Sequence, residues 1–181
     1  MRLFFGIALS QDARRAAAQY ARAARQFWPG RYVEADNLHM TLCYVGEVDA
    51  QGLAQVRRIG ALAAQALPAA PLALGGPGHF GREDKAILYL NALGGRAYAP
   101  AAQALRQLLQ AAGLPFDPKP FAPHITLARN AALTEQAPPP PQARPWMPEG
   151  LTLYHSHRME GVLVYTALDK WPVPAPSRRG G

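Results

Sequence analysis

The chain repeats one four-residue pattern, His39-Met40-Thr41-Leu42 and His124-Ile125-Thr126-Leu127. Each copy reads His, apolar, Thr, apolar. Successive side chains of a β-strand point to opposite faces, so the His and Thr of each copy share one face. Met40 with Leu42, and Ile125 with Leu127, share the other. Each tetrad predicts a strand that buries its apolar side and presents an imidazole and a hydroxyl. A single copy is equally well read as a half-buried strand with a satisfied polar face. Two copies facing each other make a cleft with two histidines and two threonines, which is equipment for acid–base chemistry on a phosphate.

Displacement at a phosphodiester needs water activated on one side and the leaving oxygen protonated on the other. An imidazole has an ordinary pKa of about 6.5, so near neutral pH one ring can be neutral and the other protonated. Two histidines on opposite walls of a cleft fit in-line displacement. The threonine hydroxyls can donate to non-bridging oxygens, where negative charge builds. With no metal or cofactor expected, these donors and a nearby arginine carry the charge stabilisation. Arg129, two positions past the second tetrad, is the strongest arginine candidate for phosphate contact, against a reading as a solvated strand-end charge. Tyr44 and Phe121 flank the tetrads and are candidates to stack on a base. Core or rim packing is the plainer reading of each. His155 and His157 share a strand face, but no acidic ligand or supporting shell stands near them in the chain, so sheet-face residues are expected there. His79 is expected to be structural. Gly75-Gly76-Pro77-Gly78 has no following Lys-Ser/Thr and helix, which argues against a phosphate loop.

The elements that must hold these residues follow from periodicity and caps. Leu3 to Leu9 predicts a first strand. Ser10 caps a helix running to about Phe27, and Trp28-Pro29-Gly30 ends it. Tyr32-Val33 and Leu38 to Val45 return to strand. Asp49 caps a second helix to about Leu67, closed by Pro68 and Pro71. Leu72 to Leu74, His79-Phe80 and Ala86 to Leu90 read as short strands. A third helix spans Tyr98 to Ala112, stopped by Gly113 and Pro115. The second motif strand covers about Pro123 to Ala128. Ala137 to Pro141 predicts a polyproline-type crossover. A closing hairpin joins Gly150–His157 to Val162–Leu168, with Met159-Glu160-Gly161 as its turn. Ser177 to Gly181 predicts a loose tail. Each half thus carries strand, helix and motif strand, suggesting a duplicated α+β unit with helices on the outer faces of two sheets.

The chain has 181 residues, 49% of them apolar and 17% charged, which predicts one globular domain or one domain of two lobes. Its net charge is +7, and 16 of its 19 basic residues are Arg. That suits a polyanionic partner weakly, because an Arg-rich proteome would give the same balance. The one cysteine, Cys43, excludes an internal disulfide and a Cys-based zinc site, and points to a reducing compartment. The N-terminal apolar run is too short to span a membrane. The expectation is a cytoplasmic monomer without membrane association.

Beyond the tetrads, Arg2 to Leu9, Ala35 to Leu42 with Val45-Gly46-Glu47, Pro120 to Arg129, Leu151 to Tyr154 and Tyr165 to Trp171 resemble the 2H phosphoesterase superfamily. The likeness is greatest to its bacterial RNA 2′,3′-cyclic phosphodiesterase, or 2′-5′ RNA ligase, branch. It spans residues 2 to 172, with 50 to 115 matching in pattern only. It implies an α+β bilobal fold over residues 1–176, two antiparallel sheets lining a V-shaped cleft with one tetrad per lobe. It implies hydrolysis of RNA ends bearing a 2′,3′-cyclic phosphate to a 2′-phosphate, tRNA fragments being among the candidate substrates, with 2′-5′ joining as the reverse reaction. It also implies His124 as general base, His39 as general acid, Thr41 and Thr126 as phosphate holders and Arg129 as their assistant. The near-symmetric tetrads do not by themselves say which His is which. Cys43-Tyr44 departs from the family's usual apolar pair and bears on base preference. Two other readings stay open: a hydrolase of small cyclic nucleotides or 2′-5′ oligonucleotides, and a non-catalytic module binding RNA ends.

Overall fold

The computed structural model describes residues 1–142 and 144–175; the tail expected at Ser177–Gly181 lies outside them. Among the described residues, eight strands and three α-helices follow one another in this order: β1 (Arg2–Ala8), α1 (Gln11–Ala24), β2 (Arg31–Tyr32), β3 (His39–Glu47), α2 (Ala50–Ala63), β4 (Ala73–Phe80), β5 (Ala86–Leu93), α3 (Ala99–Ala111), β6 (His124–Ala131), β7 (Gly150–Met159) and β8 (Val162–Pro172). Both expected N-caps form. The Ser10 hydroxyl accepts from the Ala13 N–H at 3.1 Å, and the Asp49 carboxylate accepts from the Gly52 N–H at 2.7 Å. Each satisfies a helix-start donor that has no partner within the helix.

The strands are antiparallel in the order β4-β5-β6-β3-β1-β7-β8. The two expected sheets are joined, but through one residue pair only, Met40 opposite Ile125. Beyond that pair β3 leaves β6, and β2 takes its place, setting Arg31 opposite Arg129 and Tyr32 opposite Ala128. The sheet therefore splays where the two motif strands meet.

The helices cross over between the halves. α1 packs on β4 and β6, although it follows β1, while α3 follows β5 and packs on β3; α2 lies on β7 and β8. A duplicated unit folding onto itself would have kept each helix at home. The exchange knits both halves into one core that includes Phe5, Ile7, Met40, Leu105, Leu109, Ile125 and Leu127.

β4 differs from expectation. The predicted pieces at Leu72–Leu74 and His79–Phe80 merge into one strand, Ala73–Phe80, through Gly75-Gly76-Pro77-Gly78, with a register shift between Leu74 and Pro77; Leu72 stays outside it, bridged to Trp146. β4 is an edge strand and Pro77 sits at this register shift, two settings in which a sheet tolerates proline. The β7–β8 turn places Glu160 and Gly161 at φ 49° and 83°, the left-handed pair of a two-residue hairpin.

Candidate active site

The tetrads lie on β3 and β6 with the expected alternation: Met40, Leu42, Ile125 and Leu127 are buried, and His39, Thr41, His124 and Thr126 are partly exposed. Both strands then bulge in the same way. Opposite β1, Thr41 pairs with Gly6 and Cys43 with Phe5, leaving Leu42 as an extra residue. Opposite β5, Thr126 pairs with Tyr89 and Ala128 with Leu88, leaving Leu127 extra. Leu42 with Cys43, and Leu127 with Ala128, are consecutive buried residues. A bulge shifts the phase of all that follows. The fifth residue after each histidine thereby returns to the histidine face: Tyr44 on β3 and Arg129 on β6, both exposed.

The imidazoles are held by one device. His39 Nδ1 lies 2.6 Å from the Asn37 carbonyl, and His124 Nδ1 lies 2.6 Å from the Ala122 carbonyl. A carbonyl only accepts, so Nδ1 carries the proton, and in the neutral ring Nε2 keeps the lone pair. The two sites then differ. His39 Nε2 is 2.8 Å from Thr41 Oγ1, so the hydroxyl donates to the neutral ring and accepts from the protonated one. Among the described residues His124 has no such hydroxyl contact, and it lines an open hollow.

An aromatic box surrounds His39. Phe4, Tyr165 and Tyr154 have ring centroids 4.7, 5.3 and 5.8 Å from its own. Gly6 supplies the room: a Cβ there would stand 3.0 Å from the Met40 carbonyl oxygen and 3.3 Å from His39 Cδ2. Burial pushes the His39 pKa down to about 4, against the Asn37 carbonyl, which favours the protonated ring; the His124 and Arg129 charges push the same way as burial. His124 lies against Phe80 and Tyr89 at 4.9 and 5.2 Å. Its pKa is also lowered, first by burial and then by Arg129, with the Ala122 carbonyl opposing. Through His39 and His124 the Arg129 charge reaches both motif strands, and it acts on Tyr165 of β8 as well.

A hollow of about 450 Å³ opens beside these groups, its lining including Thr41, Tyr44, Phe80, Phe121, Ala122 and His124. It has the size of small-molecule sites, roughly 300–1,000 Å³. Tyr44 and Phe121, the two expected stacking residues, thus line one hollow with His124, and Phe121 also packs against the core from its rim. His155 and His157 stack on each other at 4.7 Å, and His157 Nε2 lies 2.8 Å from Thr166 Oγ1. Among the described residues no group of three or more His, Cys, Asp or Glu is arranged to hold a metal ion. Among the described residues, no helix is long and apolar enough to cross a membrane.

Sequence reasoning missed Asn37. It is 7% exposed. Its Nδ2 donates to the Leu163 carbonyl at 2.8 Å and its Oδ1 accepts from the Tyr165 N–H at 3.1 Å. One residue thus orients His39 through its backbone and anchors β8, which carries Tyr165, through its side chain. The available signal was its place, an amide side chain two positions before the motif histidine at a strand start. Phe4, Phe80, Tyr89, Tyr154 and Tyr165 had none, since each reads as an ordinary sheet residue.

A family model described as the 2′-5′ RNA ligase superfamily matches residues 11–159. The RNA 2′,3′-cyclic phosphodiesterase of Thermus thermophilus is 30% identical, the match covering 94% of this chain and 89% of that protein. The protein of the same name from Escherichia coli K12 is 33% identical over 94% of this chain and 95% of that one. The crystal structure of E. coli LigT complexed with 3′-AMP superposes with a TM-score of 0.79 at 30% identity, covering 96% of this chain and 98% of that one.

Proposed function

This chain belongs to the 2′-5′ RNA ligase superfamily, and on that premise we propose that it hydrolyses 2′,3′-cyclic phosphate ends of RNA to 2′-phosphates by two-histidine acid–base catalysis. The observation that carries the mechanism is the matched pair of Nδ1–carbonyl bonds, which makes Nε2 of each ring the atom that exchanges protons, that of His39 beside the Thr41 hydroxyl. A nucleotide end seats its cyclic phosphate between the imidazoles and its base in the hollow between Tyr44 and Phe121. The neutral His124 Nε2 takes a proton from the attacking water as the oxygen–phosphorus bond forms. The bond from phosphorus to O3′ breaks, and O3′ takes the proton of His39 Nε2–H. The product carries a 2′-phosphate and a 3′-hydroxyl. His124 ends protonated and His39 neutral, and exchange with solvent resets both.

The difference between the two sites supports this division of roles. His124, with Nε2 free of a hydroxyl partner among the described residues, is the better proton acceptor. His39, whose low pKa makes it neutral in the empty cleft, becomes an acid when the phosphate anion beside it offsets burial and the Arg129 charge. Thr41 and Thr126 donate to the non-bridging oxygens, and Arg129 adds a planar two-donor contact. With a 5′-hydroxyl in place of water as the attacking group, the same steps in the same direction make a 2′-5′ link: the 5′ oxygen bonds to phosphorus, its proton goes to His124, and O3′ leaves with the proton of His39.

The test is hydrolysis of a short RNA with a 2′,3′-cyclic end in EDTA, wild type beside His39→Ala and His124→Ala. Wild-type turnover to a 2′-phosphate is expected, with each variant slower by about 10²–10⁴. Activity abolished by EDTA, or a 3′-phosphate product, overturns the mechanism. Tight binding without turnover selects the RNA-end-binding reading.

A further inference from the structure

The splay of the sheet sets two guanidinium groups side by side. Arg31 of β2 stands directly opposite Arg129 of β6. Directly opposed residues project from the same face with Cβ atoms about 5 Å apart. The next residue confirms the face. Tyr32 turns toward α1: its hydroxyl donates to the Trp28 carbonyl at 2.8 Å, the Arg25 guanidinium lies 4.9 Å from its ring centroid, and its ladder partner Ala128 is fully buried. Arg31, one residue earlier, therefore shares the cleft face with Arg129. Both are exposed. Neither belongs to any of the ion pairs among the described residues. Like charges directly opposed across a ladder are destabilising. Two adjacent guanidinium groups without a carboxylate between them suit a ligand that brings more than one phosphate.

We infer that Arg31 binds the internucleotide phosphate immediately 5′ of the terminal nucleotide, and so makes the site favour oligonucleotide ends over mononucleotides. The inference rests on the function proposed above. The base hollow opens at the start of β6, beside Phe121, Ala122 and His124, while the arginine pair sits toward its other end. A terminal nucleotide with its base in the hollow and its cyclic phosphate at the histidines has Arg129 on the reacting phosphate. The preceding phosphate then passes Arg31, and the rest of the strand leaves over β2.

The experiment compares kcat/KM for a nucleoside 2′,3′-cyclic phosphate and for a dinucleotide ending in the same cyclic phosphate, across a salt series. Wild type, Arg31→Ala and Arg31→Lys are assayed. The expected result is a roughly tenfold loss for Arg31→Ala on the dinucleotide with less than a twofold change on the mononucleotide, and partial recovery with Arg31→Lys. The log–log salt slope for the dinucleotide should become shallower by about 0.7, one single-strand phosphate contact. Equal losses on both substrates, or no loss on either, overturn the role given to Arg31 while leaving the cyclic phosphodiesterase reading intact. Wild-type turnover of neither substrate overturns that reading, and the role of Arg31 with it. A urea midpoint within experimental error of wild type is expected for Arg31→Lys, and one at or slightly above it for Arg31→Ala, which relieves the opposed like charges.

Discussion

Acid should destabilise this protein through His39, and the size of the effect can be worked out from the site. The ring sits among Phe4, Tyr154 and Tyr165, and burial holds its pKa at about 4. In the unfolded chain the same group titrates near 6.5. Between those values the unfolded chain binds a proton that the folded protein declines. Stability therefore rises with pH across this window: it is complete above pH 6.5, is lost as pH falls through 6.5, and the loss levels off near pH 4. The gap of about 2.5 pH units corresponds to about 3 kcal/mol at most, and to about half that after screening by water in the cleft. The assay is urea unfolding at several pH values from 7 to 4.5, wild type beside His39→Gln. Glutamine does not titrate, so carboxylate contributions shared by both proteins cancel in the difference. The wild type should lose 1–3 kcal/mol more than the variant over this range. Parallel pH profiles for the two proteins would refute the burial argument for His39.

The same depressions bear on rate. One histidine must be protonated and the other neutral, and both pKa values lie below the ordinary range, so kcat/KM should peak on the acid side of pH 7 and fall as pH rises; a peak above pH 8 contradicts this. Asn37→Ala removes two bonds to β8 and should cost about 2 kcal/mol in urea unfolding. It should also lower kcat more than tenfold in the still-folded protein, because Tyr165 and the wall of His39 lose their anchor; unchanged kcat would reduce Asn37 to a purely structural residue. Gly60→Ala is the contrasting case. Its added carbon would stand 2.4 Å from Trp171 Cη2 and 2.9 Å from Phe5 Cε1, which should cost about 1–3 kcal/mol of stability while kcat below the transition stays near wild type.

Much of this site was legible in the chain because it is local. A period of two places His39 with Thr41 and His124 with Thr126 whatever the rest of the protein does, and Ser10 and Asp49 cap helices through atoms three residues away. The helix assignments hold to within a few residues, α1 ending at Ala24 rather than Phe27 and α2 at Ala63 before a short 3-10 turn. β4 was harder to read, since its edge position, one of the settings that tolerate Pro77, depends on which strand lies beside it. Tyr44 and Arg129 mark the boundary most sharply. Each lies five residues after its histidine, an odd offset that strict alternation sends to the buried face. Only the pairing of β3 with β1 and of β6 with β5 creates the bulges that turn them back into the cleft. The depressed pKa of His39 likewise depends on Tyr154 and Tyr165, more than a hundred positions away, and the facing of Arg31 and Arg129 depends on where β3 leaves β6. The sequence determined which chemical groups each motif strand presents, because side-chain alternation is a property of the strand itself. Tertiary structure decided which groups meet, how dry they are and what charge they hold, because bulges, burial and field are set by neighbours that the chain brings in from elsewhere.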